Sequence, residues 1–208
     1  MARFFDLHPD NPQPRTVGQI VAMLHEGAVI AYPTDSGYAL GCSIDSHDGA
    51  DRIRRIRHLS DKHDFTLVCS DFGQLGQLVH LDNAAFRAIK ASTPGPYTFI
   101  LPATSVVPRR LAHPKKKTVG VRIPDNRIVQ AILADLGQPL LSSTLLLPGA
   151  ADPDLLTDGW SIKEELDHLV DAVVEGGIVP PQPTTVIDYS AGDPVIRRQG
   201  AGDITRWE

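Results

Sequence analysis

The chain of 208 residues has few cysteines, few aromatic residues and no excess of positive charge. Its two cysteines, Cys42 and Cys69, lie in apolar stretches without the paired spacing of a zinc site, so we expect buried free thiols. Aromatic residues make up 6% of the chain, which predicts a core packed mainly from aliphatic side chains. The formal net charge of −5 excludes a domain that is basic throughout, so any polyanion site must be a local patch.

Long apolar runs and several common catalytic motifs are also missing. No apolar run approaches the roughly 20 residues of a membrane-spanning helix, and the residues after Met1 lack the apolar stretch of a signal peptide. We therefore expect a cytoplasmic protein that does not bind a membrane. The sequence contains no GxxxxGK[ST], GxGxxG or GxSxG pattern, which argues against P-loop, Rossmann and α/β-hydrolase mechanisms.

Segments with strand composition alternate with segments of helical periodicity along the chain, which predicts an α/β or α+β fold. A capping box at Thr16–Gln19 predicts the start of the first helix, and Gly27 predicts its end. The segment Pro33–Gly41 is predicted to be a loop between strands. Neither a repeat nor a linker divides the chain, so we expect one domain over residues 1–208, with residues 148–159 as a mobile loop.

Hydroxyl side chains follow several of the predicted strands. Thr34 follows one apolar strand, Ser142 and Thr144 end another, and Thr184 precedes a third, while a rigid turn leads into Thr98. Ligands of open α/β sheets bind beyond the carboxyl ends of strands, so these hydroxyls could converge on one ligand. Each segment is equally compatible with an ordinary turn.

The basic residues form clusters in this acidic chain. Arg55 and Arg57 stand two apart on a predicted helix, so they share one cleft only if Arg57 lies where the helix frays; otherwise they form a solvated face. Arg122 lies among apolar strand residues and requires a carboxylate partner or an anionic ligand. The run Lys115–Lys117 is either a solvated loop or a salt-sensitive phosphate contact.

Four segments, in this order, resemble motifs of the YrdC-type family: Pro33–Gly41, Pro94–Leu101, Gly120–Pro124 and Pro183–Asp188. The resemblance extends over residues 29–200. It implies a twisted mixed β-sheet flanked by helices around a deep, positively charged cleft. It also implies synthesis of L-threonylcarbamoyl-AMP from ATP, threonine and bicarbonate for tRNA modification, and family members are also described as binding double-stranded RNA.

Two departures from the synthase pattern separate this chain from that activity. The Lys-x-Arg pair of the synthases is matched here by Arg55-Ile56-Arg57, and arginine changes the reach and geometry of the cation. In the Ser-x-Asn pair, Thr144 keeps the hydroxyl, but Leu146 replaces the asparagine and can neither donate nor accept a hydrogen bond. Residues 66–69, 97–102 and 139–144 resemble instead the YciO branch of the family.

The resemblance implies a role for each candidate residue. Arg55, Arg57 and Thr144 are expected to be catalytic, and the residues expected to bind substrate or nucleotide are Thr34, Tyr38, Lys62, Thr98, Arg122, Ser142, Thr184 and Arg198. ATP is the expected substrate, together with threonine and bicarbonate, and Mg²⁺ is expected only if the triphosphate is cleaved. No protein-bound metal is expected, and RNA (tRNA or double-stranded RNA) is the expected macromolecular partner.

Two other functions fit the same residues. Leu146 favours a non-catalytic module that holds nucleotide or double-stranded RNA without turnover. The apolar wall offered by Leu145–Leu147 instead favours a carbamoyl- or acyl-adenylate reaction with a substrate other than threonine.

Overall fold

A computed structural model of the protein describes residues 1–60, 64–148 and 156–208. In these residues the strands are β1 (Arg3–Asp6), β2 (Ile30–Thr34), β3 (Gly37–Ser43), β4 (Thr66–Val68), β5 (Tyr97–Pro102), β6 (Thr118–Arg122), β7 (Leu140–Thr144), β8 (Ala172–Glu175), β9 (Thr185–Asp188) and β10 (Val195–Arg198). The helices are α1 (Pro14–His25), α2 (His47–Arg57), α3 (Phe72–Leu78), α4 (Asn83–Ser92), α5 (Arg127–Leu136) and α6 (Gly159–Leu166). A short 3₁₀ helix, Thr205–Trp207, follows near the end of the chain.

The ten strands form one mixed sheet in the order β1-β8-β2-β3-β7-β4-β6-β5-β9-β10. Strand β8 pairs in parallel with both β1 and β2, and the pairs β4–β6 and β5–β9 are also parallel. The pairs β2–β3, β3–β7, β4–β7, β5–β6 and β9–β10 are antiparallel. This arrangement confirms the predicted fold, a mixed sheet flanked by helices.

Each face of the sheet carries its own apolar core. Helices α1 and α5 pack on one face against Tyr32 and Leu140. Helices α2, α3, α4 and α6 pack on the other face against Leu67 and Phe99. Phe99 on β5 points to the face that carries α2, α3, α4 and α6. Because successive strand residues point to opposite faces, its neighbour Thr98 lies on the face that carries α1 and α5. Hydroxyl and arginine side chains line the part of this face that the helices leave open.

The prediction of a capping box at Thr16–Gln19 is wrong. Helix α1 begins at Pro14, and its N-cap residue, Gln13, makes no side-chain capping hydrogen bond. Proline suits the first helical position because its φ is already helical and no intrahelical partner exists there for the N–H that it lacks. Gly27, with φ of 89°, follows the end of the helix as predicted.

The predicted loop at Pro33–Gly41 is also wrong, because these residues form a β-hairpin. Strand β2 runs through Thr34, and β3 begins at Gly37, with which Thr34 pairs. Pro33 is accommodated because β8 pairs with β2 only at Ile30 and Ala31, further back along the strand. Gly37 has a φ of 104°, and a Cβ there would lie 3.1 Å from the Cα of Pro181. The turn therefore requires glycine on two grounds.

Both cysteines are buried free thiols, as predicted. Burial raises the pKa of Cys42 to about 12, and it also raises the pKa of Cys69. Both groups are therefore protonated at neutral pH and act as small apolar side chains. In the part of the chain that the structure describes, no helix has the length and apolarity that crossing a membrane requires.

Candidate functional site

A cleft of about 300 Å³ lies on the open part of the sheet face. It contains nine of the predicted site residues, namely Thr34, Tyr38, Arg57, Thr98, Arg122, Ser142, Thr144, Thr184 and Arg198. The remaining lining residues are Leu146, which was expected in the apolar wall, and Ser36, Ala39, Asp64, Thr66, Ser143 and Val186, which were not among the predicted site residues. Residues from eight strands and from the end of α2 therefore meet at one site.

Arg55 does not reach this cleft. It lines depressions on the outer side of α2, where His58 is a neighbour, and its Nε donates to the backbone carbonyl of Asp51 at 3.4 Å. Two residues along an α-helix correspond to a rotation of about 200°, so Arg55 and Arg57 point in nearly opposite directions. Arg57 enters the cleft as the last residue of α2, which ends at His58 in a left-handed conformation with φ of 49°.

Two other predictions concern residues that the structure does not describe. Lys62 lies in the segment 61–63, outside the described residues. Of the predicted mobile loop at 148–159, residues 149–155 also lie outside them. Both therefore stay predictions.

Arg122 has the carboxylate partner that its buried position requires. Its Nη2 donates to Asp35 Oδ1, and its Nη1 donates to Ser36 Oγ at 2.9 Å. The other carboxylate oxygen of Asp35 accepts the backbone N–H of Asp125 at 3.0 Å. Arg122 is 8% exposed, and its Nε is buried without a hydrogen-bond partner among the described residues. The charge of Arg122 is thus offset within the protein.

Two of the predicted binding hydroxyls are committed to the sheet. Thr34 Oγ1 donates to the carbonyl of Gly37 at 2.6 Å and so closes the hairpin turn. Ser142 Oγ lies 3.2 Å from the carbonyl of Leu40, to which it donates, and 2.6 Å from the hydroxyl of Tyr32. Burial raises the pKa of Tyr32 to about 12, so this phenol is protonated and is the donor to Ser142. Neither Thr34 nor Ser142 has a proton left for a ligand.

The hydroxyl of Tyr38 is similarly occupied. It donates to the carbonyl of Gly177 at 3.0 Å and accepts the backbone N–H of Gly176 at 3.3 Å. Burial, followed by the charge of Glu175, raises the pKa of Tyr38, so the hydroxyl stays protonated. Tyr38 therefore ties the hairpin to the segment after β8, and its ring contributes to the cleft wall.

A second group of hydroxyls keeps donors available. Thr98 Oγ1 and Thr184 Oγ1 lie 2.9 Å apart, and Arg198 Nη2 donates to Thr184 Oγ1 at 3.1 Å. One hydrogen bond between two hydroxyls uses one of their two protons, so the other is free to donate. Thr144 is exposed at the end of β7, and its hydroxyl makes no hydrogen bond with the described residues.

Arg57 is held by the chain segment that ends β7. Its Nη1 donates to Ser143 Oγ at 2.6 Å, and its Nε donates to the carbonyl of Leu146 at 3.1 Å. Partial burial lowers the pKa of Arg57 from its ordinary high value, and the side chain stays charged. Ser143 lies between two predicted site residues, and strand alternation places it on the face opposite Ser142 and Thr144. That opposite face carries α2, the helix from which Arg57 comes.

The cleft has more free positive than negative charge among its described lining residues. Neither Arg57 nor Arg198 forms an ion pair with a described carboxylate, and Asp64 pairs with no described cation. Arginine donates paired hydrogen bonds that match carboxylate and phosphate oxygens. The described residues contain no group of three or more His, Cys, Asp or Glu placed to hold a metal ion. The arrangement is suited to an anionic, oxygen-rich ligand.

A family model comparison matches residues 22–200 to the Sua5/YciO/YrdC family, which is described as "telomere recombination". The chain belongs to this family. YciO of Escherichia coli (strain K12) is 50% identical over 204 residues, which are 98% of each chain. A threonylcarbamoyl-AMP synthase of Vibrio vulnificus (strain YJ016) is 29% identical over 163 residues, 77% of this chain and 86% of the synthase. These matches confirm the resemblance to the YciO branch and a distant relation to the synthases.

Solved structures of family members have the same fold. The crystal structure of E. coli YciO matches with a TM-score of 0.93 and 48% identity, over 100% of both chains. Sua5 of P. abyssi, complexed with L-threonine, matches with a TM-score of 0.84 and 24% identity, over 95% of this chain and 57% of Sua5. At that identity, the second likeness extends to the fold alone.

Proposed function

We propose that the protein binds ATP in the cleft and carries out nucleotidyl transfer related to L-threonylcarbamoyl-AMP synthesis, linked to threonylcarbamoyladenosine modification of tRNA. One observation carries the proposal: Arg57 and Arg198, which have no carboxylate partner among the described residues, line the same cleft as the hydroxyl of Thr144 and the Thr98–Thr184 pair. Paired cations and oriented hydroxyls are what a triphosphate and a small carboxylate substrate require. The distant identity to a threonylcarbamoyl-AMP synthase supports the choice of reaction.

In the proposed reaction, the amino group of threonine and bicarbonate form a carbamate with loss of water, and a carbamate oxygen attacks the α-phosphorus of ATP. The bond from that phosphorus to the bridging oxygen breaks, and pyrophosphate leaves with the electron pair. Arg57 and Arg198 would stabilise phosphate charge, and Mg²⁺ that enters with ATP would supply further charge neutralisation. The free proton of the Thr98–Thr184 pair donates to an oxygen of the small substrate.

Leu146 limits the rate of this reaction. Its side chain is 43% exposed at the cleft and offers no hydrogen bond where the synthase pattern has asparagine. Loss of one oriented polar donor lowers a rate by about 100-fold or more. The same observation favours the second candidate, a module that holds nucleotide without turnover.

The two candidates differ in turnover. The purified protein is incubated with ATP, radiolabelled bicarbonate and threonine, and pyrophosphate and the carbamoylated adenylate are measured. We expect slow turnover that Leu146→Asn raises by about 100-fold. If both wild type and Leu146→Asn bind ATP without turnover, the protein is a binding module. If turnover occurs only with an amino acid other than threonine, the protein acts on a different substrate. Failure to bind ATP rejects the proposal.

Arg57 and Arg55 provide a matched pair of variants for this assay. Arg57→Ala removes a cation from the cleft, so ATP affinity falls by about 1.5–3 kcal/mol, the range for a hydrogen bond to a charged group. Arg55→Ala removes the same charge from the outer side of the same helix and leaves ATP affinity unchanged. Equal losses in both variants would show that ATP responds to overall charge and does not bind in this cleft.

A further inference from the structure

Arg57 reaches the cleft only through contacts outside its own helix. It is the last residue of α2, and α2 packs on the face of the sheet opposite to α1 and α5. An arginine side chain at a helix end has several rotatable bonds and no partner within its own helix to fix them. Its direction is therefore set by what it meets at the end of β7.

Two acceptors meet the guanidinium there. Ser143 Oγ accepts from Nη1 at 2.6 Å, and the Leu146 carbonyl accepts from Nε at 3.1 Å. Ser143 is 6% exposed, so its hydroxyl sits in a packed position. The two bonds fix the plane of the guanidinium and use two of its five N–H groups, so three remain for a ligand.

Ser142, the neighbouring serine, has a different structural role. Ser142 Oγ is occupied by Tyr32 and the carbonyl of Leu40, and Arg57 makes its hydrogen bonds to Ser143 and Leu146 instead. Two adjacent hydroxyls of β7 therefore act in different ways. Ser142 links strands of the sheet, and Ser143 holds a cation.

We infer that Ser143 is the positioning residue for Arg57 and that it orients the free N–H groups toward a phosphate of the bound nucleotide. The inference rests on the proposed function, because it takes the ligand of the cleft to be a nucleotide phosphate. Ser143 acts through Arg57 and does not itself bind the phosphate. Its effect is therefore confined to phosphate-bearing ligands and disappears when Arg57 is absent.

Calorimetric titration with ATP tests this role in wild type, Ser143→Ala, Arg57→Ala and the double variant. We expect Ser143→Ala to weaken ATP binding by about tenfold, the effect of losing one hydrogen bond to a charged group. In the Arg57→Ala background the same change has no further effect, and adenosine binding is unchanged throughout. A similar loss in both backgrounds, an equal loss for adenosine, or no loss for ATP would overturn the inference.

The pair Ser143→Thr and Ser143→Val separates the hydroxyl from the shape of the side chain. Threonine and valine are nearly equal in shape, but only threonine carries a hydroxyl. We expect the threonine variant to bind ATP within about twofold of wild type and the valine variant to bind ATP as weakly as Ser143→Ala. This pair replaces Ser143→Ala if that variant fails to fold. Equal ATP affinity of the threonine and valine variants contradicts a role for the hydroxyl.

A measurement without ligand separates this inference from the proposed function. The ¹⁵N NMR signal of Arg57 Nη1–H reports whether the guanidinium is held by Ser143, because Nη1 is the atom that donates to Ser143 Oγ. We expect a protected, slowly exchanging signal in wild type and a rapidly exchanging one in Ser143→Val. If wild type binds no ATP but shows this difference, the nucleotide proposal fails and the positioning of Arg57 stands. If the signal is the same in both proteins, the positioning role fails.

Discussion

The buried pair Asp35–Arg122 shows how single residues define the cleft floor. Asp35 lies in the hairpin turn and Arg122 ends β6, so their ion pair joins two elements that are distant in sequence. Both side chains are nearly excluded from water, at 11% and 10% exposed. A buried charge that loses its partner is costly, because it gives up hydration without compensation.

Asp35→Asn is therefore expected to destabilise the protein. It leaves Arg122 charged and buried without a carboxylate, so the free energy of unfolding falls by about 3 kcal/mol. Urea denaturation followed by circular dichroism measures the change. Asp125→Asn is the matched control, because it also removes one negative charge, but from an exposed side chain. An equal effect of both substitutions would mean that the ion pair contributes nothing beyond net charge.

At the scale of elements, the segment after β10 supports the strand end that carries Thr184. Thr185 Oγ1 donates to the carbonyl of Gly202 at 2.7 Å and accepts the N–H of Gly200 at 3.0 Å. Further on, Trp207 Nε1 donates to the hydroxyl of Tyr189 at 2.7 Å. The segment thereby holds the Thr98–Thr184 hydroxyl pair from outside the cleft.

Trp207→Ala is expected to loosen this support. It removes the ring contact with Tyr97, whose centroid lies 5.4 Å away, and the hydrogen bond to Tyr189. The free energy of unfolding falls by about 2 kcal/mol, less than for a fully buried aromatic residue, because Trp207 is only partly buried. Thermal denaturation gives the measurement, and ATP affinity falls as well.

Trp160 is the control, since the chain has two tryptophans. It is 64% exposed and packs against Phe4 at a centroid distance of 4.2 Å, on a helix that does not line the cleft. Trp160→Ala should change stability less and leave ATP affinity unchanged. If Trp160→Ala reduces ATP affinity as much as Trp207→Ala does, the support of Thr184 by this segment is refuted.

At the scale of the whole molecule, an acidic body carries a locally cationic cleft. The net charge of −5 opposes the approach of any polyanion at long range. Only Arg57 and Arg198 among the described cleft arginines lack a carboxylate partner. Binding of RNA at this site would therefore involve few phosphates.

This charge distribution predicts a shallow salt dependence for tRNA binding. With about two phosphates neutralised, the slope of log Kobs against log salt lies between about −1 and −2. Filter binding across a series of KCl concentrations measures it. A slope steeper than about −4 would place the main contacts outside the cleft. Replacing Lys115, Lys116 and Lys117 with glutamine then identifies whether that basic run supplies them.

The sequence by itself determined the mixed α/β class and the family, because these depend on alternating local periodicity and on motifs that stay in order along the chain. Only the tertiary structure decided which arginine of Arg55 and Arg57 enters the cleft, since a helix end can direct its last side chain to either face. The same holds for the pairing of Arg122 with Asp35 and of Arg57 with Ser143. Such contacts join residues far apart in sequence. A single hydrogen bond of this kind determines whether a hydroxyl can bind a ligand or is already bonded within the protein.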